Sequence, residues 1–403
     1  MLDQIKDTIK EYYYDKTFHG IDLDAKFKAV AEKIKKMDTN RQIDRAIAQL
    51  VLEFNDSHTT YYPPGRANSV VYGFSIQMIG YDCFIVDLEK GSDAEAKGLK
   101  IGDVVVAIGN YTPTRENLWK INYLIYRLDP QETIKVYVLD PGRPDKEIEV
   151  KAKFKSIDER RKEAFKQSKK KQDDPYKCKT IACRLETFSV DRRYIDMMMN
   201  EVGSHKKMIL DLRGNGGGYV RMLEYLAGYF FDKDVKISDM VERRKTTESK
   251  ARSKKGDAFK GELVVLIDSN SASASEVFSR LIQLEKRGKV VGDASAGKVM
   301  TSIFASLASS RGVPGYETIS LFGVSVTVAD LIMSDGKRLE NVGVIPDYAV
   351  GPTGKGLREK NDPVLAFAAA LLNADISSEA AGRFEFRPKV FENDEDEGGS
   401  KDK

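Results

Sequence analysis

Cysteine and histidine are scarce in this 403-residue sequence, at three each, and tryptophan occurs once. Cys83, Cys178 and Cys183 are too few and too irregularly spaced for a disulfide framework or a structural zinc site. Cys178 and Cys183 could pair in an oxidising compartment, but their separation alone does not decide it. His19 and His205 group with nothing, so no metal site and no cofactor is expected. No apolar run is long enough to span a bilayer. The opening MLDQIKDTIKEYYYDKTFHG lacks the apolar centre and small-residue cleavage site of a secretory signal, so a soluble chain is expected. Neither sign of charge dominates: 65 Lys and Arg face 62 Asp and Glu, a net +3. Bulk charge therefore gives no reason to expect nucleic-acid or membrane binding. The basic runs Lys169 to Lys171 and Arg243 to Lys255 read as solvated surface.

The length exceeds what one hydrophobic core usually serves, so several domains are expected in an α+β multidomain chain. Residues 1–65 read as an N-terminal helical domain, since Phe27, Val30, Ala31 and Ile34 recur on one helical face, as do Ile43, Ile47, Leu50, Val51 and Phe54. Pro63, Pro64 and Gly65 end it. Residues 66–152 change texture to short alternating runs, VVYGFSIQMI, DCFIVDLE, DVVVAIGN and TIKVYVLD, bounded by glycine turns: a compact β-rich module. Residues 153–355 hold buried-type strands interleaved with helical patterns, an α/β core, with 153–175 as a linker or exposed helix. Residues 356–403 are expected to give a C-terminal helix and a disordered acidic tail.

Chemistry concentrates in SNSASASEVFSR, from Ser269 to Arg280, on the connection between the strand ending at Asp268 and the following helix. Such a turn exposes a side chain beside the first helix amides. A serine there needs a base to become a nucleophile. Capping of the helix by Ser and Asn is the competing explanation. The glycine run Gly214 to Gly218, interrupted by Asn215, would bring bare amides to a developing oxyanion. It could instead cradle phosphate, although neither GxGxxG nor GK[ST] stands at the strand end. Lys298 in GDASAGK could serve as a base only if burial keeps its amine neutral.

Two resemblances extend this reading. The order YGF, strand, GSDAEAKGLKIGD, strand is similar to a PDZ domain, which implies that Tyr72, Gly73 and Phe74 offer backbone amides to the C-terminal carboxylate of a peptide. The ordered set ILDLRGNGGG, SASASE, GDASAGK and RLENVGVIPD resembles the C-terminal processing, or tail-specific, serine peptidases of family S41. That resemblance implies a crotonase/ClpP-like α/β catalytic core. It implies Ser273 as nucleophile, Lys298 as general base, and the amides of Gly218 and Ala274 as oxyanion donors, with Ser271 and Ser275 left to turn and cap. The pattern departs at Ser302, where a glutamine usually orients the lysine. A tricorn-like variant within the family implies a tetrad of Ser57, His58, Ser273 and Glu340, with His58 as base. The implied partner is an unfolded or tagged polypeptide held by its C-terminus, whose binding would shift the PDZ-like module and align the site; a homo-oligomer is compatible. Export to a bacterial envelope or periplasm is implied, with the cytoplasm left open. A noncatalytic peptide- or ligand-binding protein on the same fold is the alternative class, and an acyl-CoA enzyme of the crotonase class a third reading.

Overall fold

The computed structural model describes residues 1–65, 68–139, 145–162, 174–203, 205–313, 316–387 and 390–391. Three helices open the chain, Leu2–Tyr12, Leu23–Ile34 and Asn40–Leu52. The second starts at Asp22, whose carboxylate accepts from Ala25 N, and the third at Thr39, which forms a reciprocal capping box with Gln42. Their apolar faces, including Ile5, Ile9, Phe27, Ile47 and Val51, do not close on themselves. They share one core with Phe322, Val324 and Val326 of the long strand Tyr316–Met333. Strand Thr60–Tyr62 pairs antiparallel with the same strand, which anchors the turn at residues 55–59.

The β-rich module is a five-stranded antiparallel sheet in sequence order: Phe74–Ile79, Asp82–Leu88, Val104–Ile108, Thr133–Leu139 and Lys146–Lys151. Alternating burial along Thr133–Leu139 (Ile134, Val136, Val138 inward) matches a sheet with one packed face. Helix Leu118–Tyr123 runs on into a π turn, Leu124–Leu128, and covers that face with Ile121 and Ile125. A short pair, Asn68–Val71 with Lys153–Ser156, ties together the two points where the chain enters and leaves the module. The start of the expected linker is thus a strand; its central part, 163–173, lies outside the described residues.

A six-stranded sheet forms the third unit, in the order Tyr348–Ala349, Lys289–Gly292, Glu262–Ile267, Lys207–Asp211, Ala182–Leu185, Tyr176–Lys179. All neighbours are parallel except the last pair, a hairpin in which Cys178 and Cys183 face each other and form a disulfide with Cα atoms 4.1 Å apart. Both faces are covered, which is why its central strands are continuous apolar runs. Helices Arg192–Val202, Val220–Ala227 and Ala274–Leu284 pack on one face, and Pro363–Leu371 with Phe386 on the other. A single C-terminal helix was expected; three short ones appear, Gly354–Arg358, Pro363–Leu371 and Ser378–Gly382, each started by a side-chain cap at Thr353, Asp362 or Ser377. The acidic tail falls on 392–403, outside the described residues. A second sheet joins the hairpin Met300–Val313 and Tyr316–Met333 to strands Val235–Glu242 and Thr246–Ala251.

Candidate active site

Strand Glu262–Ile267 ends at Asp268, and helix Ala274–Leu284 begins six residues later. Of Ser269, Ser271 and Ser273 on the connection and Ser275 in the first turn of the helix, three bond to backbone carbonyls. Ser269 Oγ donates to Met78 O (2.6 Å), Ser271 Oγ to Leu212 O (2.8 Å) and Ser275 Oγ to Asn215 O (2.8 Å). Ser271 and Ser275, both buried, thereby stitch the turn to the glycine run. Ser273 stands at the N-cap with φ +55°, a left-handed conformation that a β-carbon disfavours and that a surrounding structure must enforce. Part of that enforcement is Gly217 at φ +97°. A β-carbon there would lie 2.7 Å from Ser273 Cβ and 3.0 Å from Ala274 N, so the glycine loop presses directly on the turn. Asp268 Oδ1 accepts from Gly214 N and Asn270 N, holding both loops to one carboxylate.

A second group assembles from distant parts of the chain. Ser57 N and Oγ both donate to Glu340, at 2.7 and 3.0 Å, and Ser57 Oγ lies 2.7 Å from His58 Nδ1. With the Ser57 hydroxyl donating to Glu340, its oxygen is left to accept from His58 Nδ1–H, the tautomer that keeps Nε2 free of a proton. The turn is fixed by buried Asp56, which accepts from His58 N, Thr59 N, Thr327 Oγ1 and Tyr13 Oη. Glu340 Oε2 also accepts from Val299 N, and Lys298 O accepts from Ser273 N at 2.9 Å. Ser273, Lys298, Glu340, Ser57 and His58 are therefore contiguous. No hydrogen bond joins the Ser273 hydroxyl to Lys298 Nζ or to His58.

Burial governs the charges here. It pushes the His58 imidazole below its ordinary range, and the nearby Lys298 charge adds to that against Asp56. It lowers the Lys298 amine too, opposed by Glu276 and Glu340. Glu340 is pushed up by burial, against the three donors it accepts. The amine of Lys298 lies 5.3 Å from the ring centroid of Trp119, on the β-rich module. Ser302 pairs with Thr327 across the hairpin, beside a register shift, and is not bonded to Lys298.

Tyr72, Gly73 and Phe74 lie apart from this cluster. Tyr72 is buried, donates through Oη to Gln131 O (2.9 Å) and packs on Tyr126. Gly73 at φ +76° backs onto Ser92, where a β-carbon would meet Ser92 Cβ at 2.3 Å. A cavity of about 210 Å³ opens beside them, lined in part by Lys90, Ser92, Lys151 and Lys153. The module touches the serine turn directly: Gln77 Nε2 donates to Asp268 Oδ2 (2.8 Å), and Arg115 pairs with Asp293 and donates to Ala294 O. Among the described residues no group of three or more His, Cys, Asp and Glu could hold a metal ion.

Sequence reasoning passed over Glu276, Asp268, Asp56 and Trp119. Ser273-x-x-Glu276 is a capping-box pattern and so carried a usable signal. Asp56 and Asp268 accept from backbone amides two or three residues on, a local turn signal; Trp119 had none, because Lys298 lies far along the chain.

Residues 180–350 match the model of peptidase family S41. They are a family S41 domain. A chloroplastic C-terminal processing peptidase of Tetradesmus obliquus is 24% identical over 372 residues, covering 84% of this chain and 74% of that protein. A tail-specific protease of Haemophilus influenzae is 27% identical over 261 residues, covering 60% of this chain but only 36% of its own length. The carboxy-terminal processing protease CtpA of Bacillus subtilis is 23% identical over 334 residues, covering 79% and 67%. Among solved structures, the photosystem II D1 C-terminal processing protease superposes with a TM-score of 0.53 at 21% identity, covering 94% of this chain and 97% of that one. Mature CPAF gives 0.66 at 13% identity, covering 89% and 93%. At these identities the two structures are alike in fold.

Proposed function

We propose that the protein is a serine endopeptidase that cleaves polypeptides through an acyl-enzyme at Ser273, with His58 as general base oriented by Ser57 and Glu340. The observation that carries this reading is the hydrogen-bonded chain Glu340, Ser57, His58 lying against the segment that bonds Ser273. Nε2 takes the Ser273 proton as Oγ adds to the scissile carbonyl. The amides of Gly218 and Ala274 receive the oxyanion, and His58 returns the proton to the leaving amine. Water, activated by the same nitrogen, then releases the acyl group. The neutral imidazole needs no further tuning at neutral pH, and Lys298 beside it disfavours its protonation.

Lys298 as base is the second reading. A buried amine held below its ordinary range favours it; the charges of Glu276 and Glu340, which favour the protonated amine, and the serine at position 302 weigh against it. In both readings the α/β unit acts as a crotonase/ClpP-like core, residues 1–65 as a helical support, and 66–152 as a PDZ-like module. Tyr72, Gly73 and Phe74 would hold a substrate's C-terminal carboxylate at the cavity beside Lys90 and Lys151, and the Gln77–Asp268 contact would report occupancy to the serine turn. The disulfide in the core hairpin supports an extracytoplasmic compartment.

The test is labelling by a fluorophosphonate probe together with casein cleavage, in wild type, Ser273→Ala, His58→Ala and Lys298→Ala. Labelling of wild type but not Ser273→Ala is expected, with loss in His58→Ala. Loss confined to Lys298→Ala would transfer the base to the lysine. A folded wild type that neither labels nor cleaves would leave the noncatalytic peptide-binding protein as the function.

A further inference from the structure

Glu276 is a heavily bonded carboxylate beside Ser273. It sits in the first turn of helix Ala274–Leu284, fully shielded from solvent. Oε1 accepts from Ser295 Oγ (2.6 Å) and Gly297 N (2.7 Å), and Oε2 from Ser273 N (2.9 Å) and Lys298 N (2.9 Å). All four partners are donors to it, so the group must be an ionised acceptor to satisfy them. Burial pushes its carboxyl up, and these four bonds oppose that shift. Such a charge would be costly to bury as a mere filler, since an aliphatic side chain fits a helix face without it. What the carboxylate does is join two chain segments that otherwise meet through two backbone bonds, Ser273 N to Lys298 O and Ala296 N to Ser271 O.

We propose that Glu276 is a positioning residue for the acyl-transfer site: it clamps the strained Ser273 turn to the Gly297–Lys298 backbone and so sets where the Ser273 hydroxyl points. The inference rests on Ser273 being the nucleophile. The clamp explains how a non-glycine residue is kept at φ +55°, because a local conformation of that kind persists only where the surroundings over-determine it. It also reaches the base by the same route, since Val299, next in the chain, donates to Glu340.

The experiment compares wild type, Glu276→Gln, Glu276→Asp and Ser273→Ala for fluorophosphonate labelling, for kcat and KM on a peptide substrate, and for melting temperature. In Glu276→Gln an amide nitrogen must face two of the four donors, which releases one half of the clamp. A misplacement of about 1 Å at a reacting atom costs roughly a hundredfold in rate. The expected result is a folded Glu276→Gln whose labelling and kcat fall by about that factor while KM holds. Glu276→Asp, which keeps the charge on a shorter arm, should recover part of the loss. Folded Glu276→Gln that labels like wild type overturns the inference, and so does a fall in KM-dependent binding with kcat unchanged. If neither variant folds, Glu276 is a folding determinant and the positioning role is rejected. Wild type that fails to label at Ser273 would instead remove the reading of the site on which the inference stands.

Discussion

Replacing Asp362 with alanine should destabilise the six-stranded sheet unit more than any surface change. Arg213 is buried between two carboxylates: Nη2 lies 2.6 Å from Asp211 and 2.7 Å from Asp362, and Nη1 donates to Asp362 Oδ1 at 2.8 Å. Asp211 ends the strand Lys207–Asp211, while Asp362 also caps the helix Pro363–Leu371 by accepting from Leu365 N. The pair therefore pins that helix to the strand feeding the glycine loop at Gly214. Breaking a buried ion pair from one side costs about 3–5 kcal/mol, and losing an N-cap about 1 kcal/mol. Since Arg213 keeps Asp211, the lower end applies, giving about 4 kcal/mol in all. For a cooperative unit of this size that is a fall of about 8–16 °C in Tm. Asp362→Asn, which can still cap, should fall less. For Asp362 itself burial raises the carboxyl, and Arg213 overrides this to hold it below the usual range. Its contribution is complete above the unfolded value near 3.8 and is lost as pH falls through the lower folded value, so the alanine variant should show a shallower acid decline in that window. Calorimetry at neutral pH and along an acid series checks both. A Tm within about 2 °C of wild type would refute the ion-pair argument.

Reduction of the Cys178–Cys183 bridge, or Cys178→Ser, should cost about 2 kcal/mol for a loop this short, read as a lower urea midpoint that dithiothreitol no longer changes in the variant. If His58 is the base, Ser273 labelling should rise with pH through a midpoint below 6.5, the ordinary imidazole value, because only the neutral ring accepts a proton. Lys298→Ala should move that midpoint upward by removing the charge that depresses it. A wild-type midpoint well above neutrality would contradict this assignment. Ser302→Gln should leave the labelling rate unchanged, whereas a several-fold gain would show that an oriented lysine is the limiting base.

Much of the candidate site was legible in short stretches. SASASE on a strand-to-helix turn, the glycine run after MILDLR and the GK dipeptide marked candidate stretches, because each motif is local, and the family resemblance implied Ser273 and Lys298 within them. The helical and β-rich textures likewise suggested the divisions after residues 65 and 152, although the opening helices complete their core on Phe322, Val324 and Val326. What the motifs could not separate was which serine bonds elsewhere. Ser269, Ser271 and Ser275 meet the carbonyls of Met78, Leu212 and Asn215, whereas Ser273 stands at the N-cap in a left-handed conformation.

The sequence by itself determined the periodicities, the turns, and the residue types available for acid, base and nucleophile. Only the tertiary structure decided that Ser57 and Glu340, nearly three hundred positions apart, share two hydrogen bonds. It also decided that the opening helices finish their core on the strand Tyr316–Met333 and that Glu276 faces inward to join two loops. The physical reason is range: propensity and capping act over a few residues, whereas burial of a carboxylate is tolerable only where donors from remote segments converge on it.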